Sequence, residues 1–273
     1  MAYRLLAVDL DGTLLRRDGQ VDARDIAAIR ALRDSGVTVT IVTGRLHSGS
    51  LGAARATGIA GAIACIEGSH IVDVSSGRSL AQHPMTGDTS QLLRDTFAAN
   101  DLATFVFEAD AIHHDEAGEP YADYVRTWSP NLAVVEEVLD ARVWANDPLC
   151  AVAIGDAAQV AAAHAALRGH ADRLFSVSFA VSACPGKHAV LTRAAGPTKG
   201  TALAELCRGA GCTLAEAVAV GDWFNDVPMF EVAGRSFAMG AAPDSVRAKA
   251  TDGLDQLTGT GGGIAEAIRR AWG

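Results

Sequence analysis

Aromatic residues and basic clusters are both scarce in this chain of 273 residues. Aromatic residues make up 5% of the sequence, whereas hydrophobic residues make up 49% and charged residues 20%. Such a composition is typical of a folded protein with a core of small aliphatic side chains, and it excludes a disordered chain. The chain has 23 basic and 32 acidic residues, so its net charge is −9, and no basic run occurs. We therefore expect neither a nucleic acid nor an anionic membrane as a partner.

Paired cysteine motifs and long apolar runs are also missing. The five cysteines are an odd number without a CxxC pair, which argues against a disulfide framework or a structural zinc site. The Ala-rich stretch at 157–167 is too short to span a bilayer, and Asp9 interrupts the first apolar run before the core of a signal peptide. These features predict a cytoplasmic protein.

Glycine motifs for nucleotides are absent as well. The sequence has no GxxxxGK[ST] segment, and its glycine cluster at 259–263 lacks the GxGxxG spacing and a preceding strand. These absences exclude a P-loop NTPase and argue against a dinucleotide site.

Strand-like and helix-like segments alternate at both ends of the chain. Near the start, the pattern predicts strands at 4–10, 37–42 and 62–66 and helices at 22–35 and 48–57. After residue 198, it predicts helices at 199–209, 226–233 and 263–271 and strands at 216–221 and 235–239. Right-handed crossovers make such strands parallel, so both ends together predict one doubly wound sheet.

The middle of the chain has a different pattern. Two hairpins are predicted, 102–108 with 111–114 and 174–182 with 188–193, and a strand at 148–154 and a helix at 157–168 lie between them. Hairpins pair antiparallel. The prediction is therefore an α/β fold: a doubly wound, Rossmann-like parallel-sheet core from residues 1–83 and 189–273, with an inserted α+β domain at 84–188.

Two acidic clusters follow apolar runs of the predicted core, Asp9-Leu10-Asp11-Gly12-Thr13 and Gly221-Asp222-Trp223-Phe224-Asn225-Asp226. Open α/β sheets bind ligands at the carboxyl ends of their strands, which is where both clusters would lie. Carboxylate and amide oxygens are suitable ligands for Mg²⁺. Taken singly, each cluster is also compatible with an ordinary turn stabilised by acidic side chains.

Two further segments offer hydrogen-bond donors to an anion. Thr43-Gly44-Arg45 closes a predicted strand, and Lys199-Gly200 begins a predicted helix, whose partial positive charge adds to that of the lysine. Alone, a strand-ending turn or a solvated lysine would explain either segment. Together with the acidic clusters they supply a nucleophilic carboxylate, a proton carrier, a cation site and anion donors, which is a complete set for phosphoryl transfer.

These four segments resemble the motifs of the haloacid dehalogenase (HAD) superfamily of phosphohydrolases. The insertion at 84–188 resembles a C2-type cap in position and length, and the run from Phe230 to Gly240 is similar to the Cof-like sugar-phosphatase branch, subclass IIB. The resemblance implies a Mg²⁺-dependent phosphatase. It would hydrolyse a small phosphorylated metabolite, most simply a sugar phosphate, through an aspartyl-phosphate intermediate.

The resemblance also implies a role for each matched residue. Asp9 would attack phosphorus, and Asp11 would protonate the leaving oxygen and then activate water. The implied phosphate-binding residues are Thr43, Gly44 and Lys199. The implied metal ligands are Asp9, the backbone carbonyl of Asp11, and Asp222, with Thr13, Asn225 and Asp226 in supporting positions.

One segment departs from the pattern of this branch. Asn-Gly-Ala usually follows the third strand, whereas this chain has Glu67-Gly68-Ser69-His70 near the mouth of the inferred site, so the resemblance does not by itself define the substrate preference. Arg45 is a candidate contact to the substrate, as are Lys187 and His188 after the Pro185-Gly186 turn.

Two alternatives to a phosphatase remain at this point. A phosphomutase would use the same core chemistry and release an isomerised product instead of phosphate. A signalling module that is phosphorylated on Asp9 would also need an acidic cluster, a threonine and a lysine, but neither a second carboxylate nor a large insertion.

Overall fold

The computed structural model describes residues 2–273, and the chain divides into two compact units. The first unit contains the chain up to Gly44, Ser50–Ala81 and Pro197–Gly273. The second unit contains Arg45–Gly49 and Gln82–Gly196. Each unit has its own sheet and its own apolar core.

Fourteen strands and nine α-helices make up the described chain. The strands are β1 (Leu5–Val8), β2 (Thr38–Ile41), β3 (Ala62–Cys65), β4 (His70–Asp73), β5 (Ser79–Gln82), β6 (Ala103–Phe107), β7 (Ile112–His114), β8 (Leu132–Val134), β9 (Cys150–Asp156), β10 (Leu174–Ala180), β11 (Lys187–Ala194), β12 (Ala217–Gly221), β13 (Arg235–Ala238) and β14 (Asp252–Gly253). The helices are α1 (Ala23–Asp34), α2 (His47–Thr57), α3 (Asp88–Ala99), α4 (Ala122–Val125), α5 (Ala157–Arg168), α6 (Lys199–Gly209), α7 (Val227–Val232), α8 (Asp244–Arg247) and α9 (Gly263–Trp272).

Five parallel strands form the main sheet of the first unit, in the order β14-β13-β12-β1-β2. Every residue of β1 and β12 is buried, as expected for central strands covered on both faces. Leu5 and Ala7 of β1 pack with Leu203 of α6 and Met229 of α7. Helices α1 and α9 contact each other, and they contact β2 and β12 respectively. This is the parallel α/β core that the sequence predicts.

The predicted third strand pairs differently from expectation. β3 pairs antiparallel with β4 in a three-stranded sheet that also contains β5, and a parallel bridge between Val42 and Ala64 links β3 to the end of β2. The sequence analysis predicted neither β4 nor β5. Both strands have four residues, and β5 is largely exposed, so it lacks the buried apolar run that identifies a strand in a sequence.

The second unit contains the six-stranded sheet β10-β11-β9-β6-β7-β8. Both predicted hairpins are present, as β6 with β7 and β10 with β11, and the pairs of β9 are also antiparallel. This unit ends at Gly196, past the predicted boundary at 188. The reason is that β11 pairs along its length with β9 and β10, so a boundary at 188 would divide a strand.

All helices of residues 2–273 are too short or too polar to cross a bilayer. The predicted cytoplasmic location stays a prediction.

Candidate active site

The first unit brings two of the acidic segments together at one edge of its parallel sheet. β1 and β12 are neighbours in register, with Val8 opposite Val220. Asp9 directly follows β1, and its backbone N–H donates to the carbonyl of Val220 at 3.0 Å, while Asp222 directly follows β12. Parallel strands end at the same edge, so the two carboxylates meet there.

Asp9, Asp222 and Asp226 form a buried acidic cluster. Their exposed fractions are 5%, 6% and 0%, and one carboxylate oxygen from each lies within 4.8 Å of the others. Three buried carboxylates so close together repel one another unless a cation lies between them. The all-oxygen donor set fits a hard divalent cation such as Mg²⁺.

Lys199 supplies a buried positive charge to this cluster. Its side chain is 1% exposed, and its Nζ lies 2.6 Å from Asp9 Oδ1 and 2.7 Å from Asp226 Oδ1. The position follows from the start of α6, where the Thr198 hydroxyl accepts a hydrogen bond from the backbone N–H of Thr201 at 3.1 Å. Lys199 is the first residue of that helix, so its charge lies at the helix N-terminus.

Asp226 holds the loop after β12 in place. Its Oδ1 accepts from Lys199, and its Oδ2 accepts from the backbone N–H groups of Asp222 at 2.8 Å and Trp223 at 2.9 Å. These three hydrogen bonds occupy both oxygens, which fits the supporting position given to Asp226. Asp11 has an exposed side chain, and it is not part of the buried acidic cluster found among residues 2–273.

Gly12 and Thr13 shape the loop after β1 around Asp222. The Thr13 hydroxyl donates to Asp222 Oδ1 at 3.2 Å. Gly12 has a φ of +84°, and a Cβ there would lie 2.4 Å from Asp222 Oδ2. Position 12 therefore needs glycine both for its backbone conformation and for space.

The excess of carboxylates shifts the pKa values of the site. Burial raises the pKa of Asp9 well above its ordinary value, although Lys199 opposes the shift. Burial and the neighbouring Asp226 carboxylate raise the pKa of Asp222 to about 7. Burial favours the neutral amine of Lys199, but the carboxylates of Asp226, Asp9 and Glu67 outweigh it and raise the pKa of Lys199. The raised pKa favours the protonated form of Lys199, and the raised pKa values of Asp9 and Asp222 favour a bound proton or a metal ion.

Thr43 and Gly44 lie beyond the end of β2, next to β1. Thr43 is fully buried, and its backbone N–H donates to the carbonyl of Ala64 at 2.9 Å. The carbonyl of Thr43 accepts from the backbone N–H of Glu67 at 3.0 Å. The segment from the second predicted motif is thus tied to the turn that carries Glu67.

Glu67 is a residue of this region to which sequence reasoning gave no role, although it placed the segment near the mouth of the inferred site. Its Oε1 accepts a hydrogen bond from Asn225 Nδ2 at 2.9 Å, which joins the turn after β3 to the loop after β12. The sequence marks the Glu67-Gly68-Ser69-His70 segment only as a departure from the family pattern. The available signal was the same as for Asp9 and Asp222, an acidic residue shortly after a buried strand.

Three weaker candidates lie in the second unit. Arg45 Nη1 donates to the carbonyl of Gly49 at 3.3 Å. Lys187 Nζ forms an ion pair with Asp156 Oδ1 at 2.8 Å. His188 pairs with Gly155 in the sheet, and its Nδ1 is buried.

A family model of haloacid dehalogenase-like hydrolases matches residues 6–268. The HMP-PP phosphatase of Yersinia pseudotuberculosis serotype O:1b is 28% identical over 242 residues, which cover 88% of this chain and 85% of the relative. HMP-PP phosphatase of Yersinia pestis matches equally well, with 28% identity over the same coverage.

Solved structures share the fold over the whole chain. A haloacid dehalogenase-like hydrolase from Bacteroides thetaiotaomicron has a TM-score of 0.83 at 23% identity and covers 99% of this chain and 100% of its own. A HAD subclass IIB sugar phosphatase has a TM-score of 0.79 at 17% identity, with 98% of each chain covered. The predicted fold class is confirmed. The chain belongs to the haloacid dehalogenase-like hydrolase family, as its four motifs predicted.

Proposed function

We propose that the protein is a Mg²⁺-dependent phosphatase that hydrolyses a small phosphorylated metabolite, most simply a sugar phosphate, through an aspartyl-phosphate. The observation that carries this proposal is the buried contact of Asp9 with Lys199 beside Asp222. A carboxylate, a fixed cation and a further carboxylate at one sheet edge are what a phosphoryl acceptor with a metal site requires. The first unit is then the catalytic core and the second unit the cap.

Asp9 is the nucleophile in this proposal. One carboxylate oxygen forms a bond to phosphorus as the bond from phosphorus to the ester oxygen breaks. Lys199 holds Asp9 in position and carries positive charge to the phosphoryl oxygens, and the Thr43 hydroxyl and the Gly44 N–H donate hydrogen bonds to the same oxygens. Fixed donors of this kind stabilise charge that develops in the transition state.

Asp11 moves the proton in both halves of the reaction. Its exposed carboxyl group gives a proton to the leaving oxygen and afterwards takes one from the water that hydrolyses the aspartyl-phosphate. Asp11 is thereby protonated again at the end of each turnover.

Mg²⁺ would be held by Asp9, the carbonyl of Asp11 and the carboxylate of Asp222, with Asn225 and Asp226 in support. The bound ion would neutralise carboxylate repulsion and polarise a phosphoryl oxygen. Thr13 and Asp226 orient the loops that carry these ligands. Arg45, Lys187 and His188 are proposed as substrate contacts of the cap.

The test is an assay of phosphate release over a panel of sugar phosphates, nucleotides, HMP-PP and p-nitrophenyl phosphate. HMP-PP is included because the Yersinia relatives are named for it. Each compound is assayed with Mg²⁺ and with EDTA. We expect release that needs Mg²⁺, and the ranking of compounds identifies the substrate class.

Asp9→Asn is the decisive variant for the nucleophile. It keeps the size of the side chain and removes the attacking carboxylate, so we expect the rate to fall by about three orders of magnitude or more. Circular dichroism should show an unchanged fold. Asp34→Asn, at an exposed position of α1, is the matched control and should retain full activity.

Other outcomes have distinct meanings. Isomerised product without free phosphate would replace the phosphatase by a phosphomutase. Stable phosphorylation of Asp9 without turnover would indicate a signalling module. Full activity of the Asp9→Asn variant would overturn the assignment of the nucleophile.

A further inference from the structure

The turn after β3 has an unusual backbone. Ile66, Glu67 and Gly68 all have positive φ values, 49°, 56° and 93°. This region favours glycine, and it is costly for a β-branched residue such as Ile66. Such strain persists where the surrounding structure fixes it, and it is concentrated at functional sites. Here the fixed contacts are the burial of Ile66 and the hydrogen bond from the Glu67 N–H to the carbonyl of Thr43.

The strained turn places the Glu67 carboxylate against Gly44. A Cβ at position 44 would lie 2.6 Å from Glu67 Oε1, so the carboxylate lies directly over this glycine. Gly44 belongs to the segment that would bind the phosphoryl group. Glu67 also contributes to the raised pKa of Lys199, so the charge of Glu67 acts on the buried lysine of the site.

The hydrogen bonding of Glu67 is incomplete for a carboxylate. Its Oε1 accepts from the neutral amide of Asn225, and the cation that interacts with its charge, Lys199, already donates to Asp9 and Asp226. An ionised carboxylate accepts several hydrogen bonds, and a half-buried one is stabilised by each donor that it gains. A donor on a ligand would stabilise Glu67, whereas a second anion nearby would be repelled.

We propose that Glu67 selects substrates by charge. The enzyme would favour phosphate esters that carry a cationic nitrogen close to the ester, and it would disfavour esters with a second anionic group there. Discrimination of this kind combines an attractive contact with one partner and a repulsive contact with the other. The proposal rests on the phosphatase function proposed above and deepens it by naming a substrate class.

The test uses three small esters of similar size: 2-aminoethyl phosphate, ethyl phosphate and carboxymethyl phosphate. In the Mg²⁺-loaded enzyme we expect kcat/KM to fall in that order. Glu67→Gln keeps the length of the side chain and an acceptor for Asn225, but it removes the charge. We expect this variant to lower the ratio of kcat/KM for the amino ester to that for the carboxylate ester by about tenfold.

Two further variants separate charge from structure. Glu67→Asp keeps the charge and should retain the order of the three esters. Glu231→Gln removes an exposed carboxylate of α7, which pairs with Lys249, and it should leave the ratio unchanged. An equal loss of kcat/KM for all three esters in Glu67→Gln would show that Glu67 only positions Asn225, and the charge proposal would be wrong.

Failure of the phosphatase function would look different. In that case p-nitrophenyl phosphate and all three esters would remain intact. The charge proposal would then be decided by calorimetric dissociation constants for the same esters. The same tenfold change of ratio in Glu67→Gln would support it, and an unchanged ratio would overturn it.

Discussion

At the scale of single residues, the site is organised by one buried lysine. Lys199 contacts both Asp9 and Asp226, and Asp226 in turn holds the loop that carries Asp222. A buried charge pair is weak evidence for net stability, but removal of one partner leaves the other charge uncompensated. The lysine is therefore needed for the geometry of the site as well as for binding an anion.

Replacement of this lysine tests its structural role. Without metal, Lys199→Met leaves two buried carboxylates without their cation, so we expect the free energy of unfolding to fall by about 3–5 kcal/mol. Urea denaturation in EDTA measures the change. Lys249→Met, at an exposed pair with Glu231, should cost no more than about 1 kcal/mol. Equal costs for the two variants would contradict the central position of Lys199.

The pKa of Asp222 gives a pH dependence with a definite sign. Its folded-state pKa of about 7 lies above the ordinary value of 3.8. The folded protein therefore binds the proton more tightly than the unfolded chain, and this stabilisation is lost as the pH rises from about 4 through about 7. We expect the Tm of the protein in EDTA to fall from about pH 5 to about pH 8, and Mg²⁺ to reverse part of the fall.

The matched variant for this experiment is Asp222→Asn. It removes the titrating group, so its Tm should depend less on pH over the same range and respond less to Mg²⁺. A Tm of the wild-type protein that rises with pH in EDTA would contradict the raised pKa.

At the scale of secondary structure, a side chain of α1 caps α9. Asp25 is fully buried, and it accepts hydrogen bonds from the backbone N–H groups of Gly262 at 2.7 Å and Ala265 at 2.8 Å. These groups are unpaired at the start of any helix, and here a residue distant in sequence satisfies them. The contact connects two helices that pack together in the first unit.

Removal of the Asp25 side chain, and with it the helix cap of α9, should destabilise the protein. Asp25→Ala leaves two N–H groups without their acceptor, so we expect about 2–4 kcal/mol of destabilisation in urea denaturation. Asp34→Ala, on the exposed end of the same helix, should change stability by no more than about 0.5 kcal/mol. If Asp25→Ala lowered the free energy of unfolding as little as the control does, the capping of α9 by Asp25 would not be important for stability.

At the scale of the whole molecule, the two units differ in architecture. The first is built on parallel strands, and the second on a sheet whose pairs are antiparallel except for β7 with β8. The core of the second unit draws its buried side chains from residues 85–190, including Phe97, Ala153 and Leu167 of three different elements. A continuous stretch of chain thus holds both a sheet and a core.

We therefore expect residues 82–196 to fold when expressed alone. The segment has more than 100 residues and a core of its own, which is sufficient for an independent domain. Circular dichroism should show strand and helix content, and thermal unfolding should be cooperative. A fragment without a cooperative transition would show that this unit depends on the rest of the chain.

Local sequence patterns determined most of the elements and the family. Buried strands such as β1 and β12 are apolar runs that end in acidic residues, and helices such as α5 and α6 have well-marked starts, so each is visible without tertiary information. The short β4 and β5 escaped prediction for different reasons: β4 is buried but has only four residues, and β5 is largely exposed and lacks an apolar run.

The composition of the site was decided by the tertiary structure. Asp9, Lys199 and Asp222 could be predicted as site residues, since acidic residues after strands and a lysine at a helix start are local signals in the sequence. It could not give the position of Glu67 on Gly44 and Asn225, because these contacts join residues far apart in sequence. Likewise, only the fold shows that both carboxylate oxygens of Asp226 accept hydrogen bonds, from Lys199 and from two backbone N–H groups. The types of functional residue can thus be read from the local sequence, whereas their positions relative to one another depend on which strands are neighbours in the sheet.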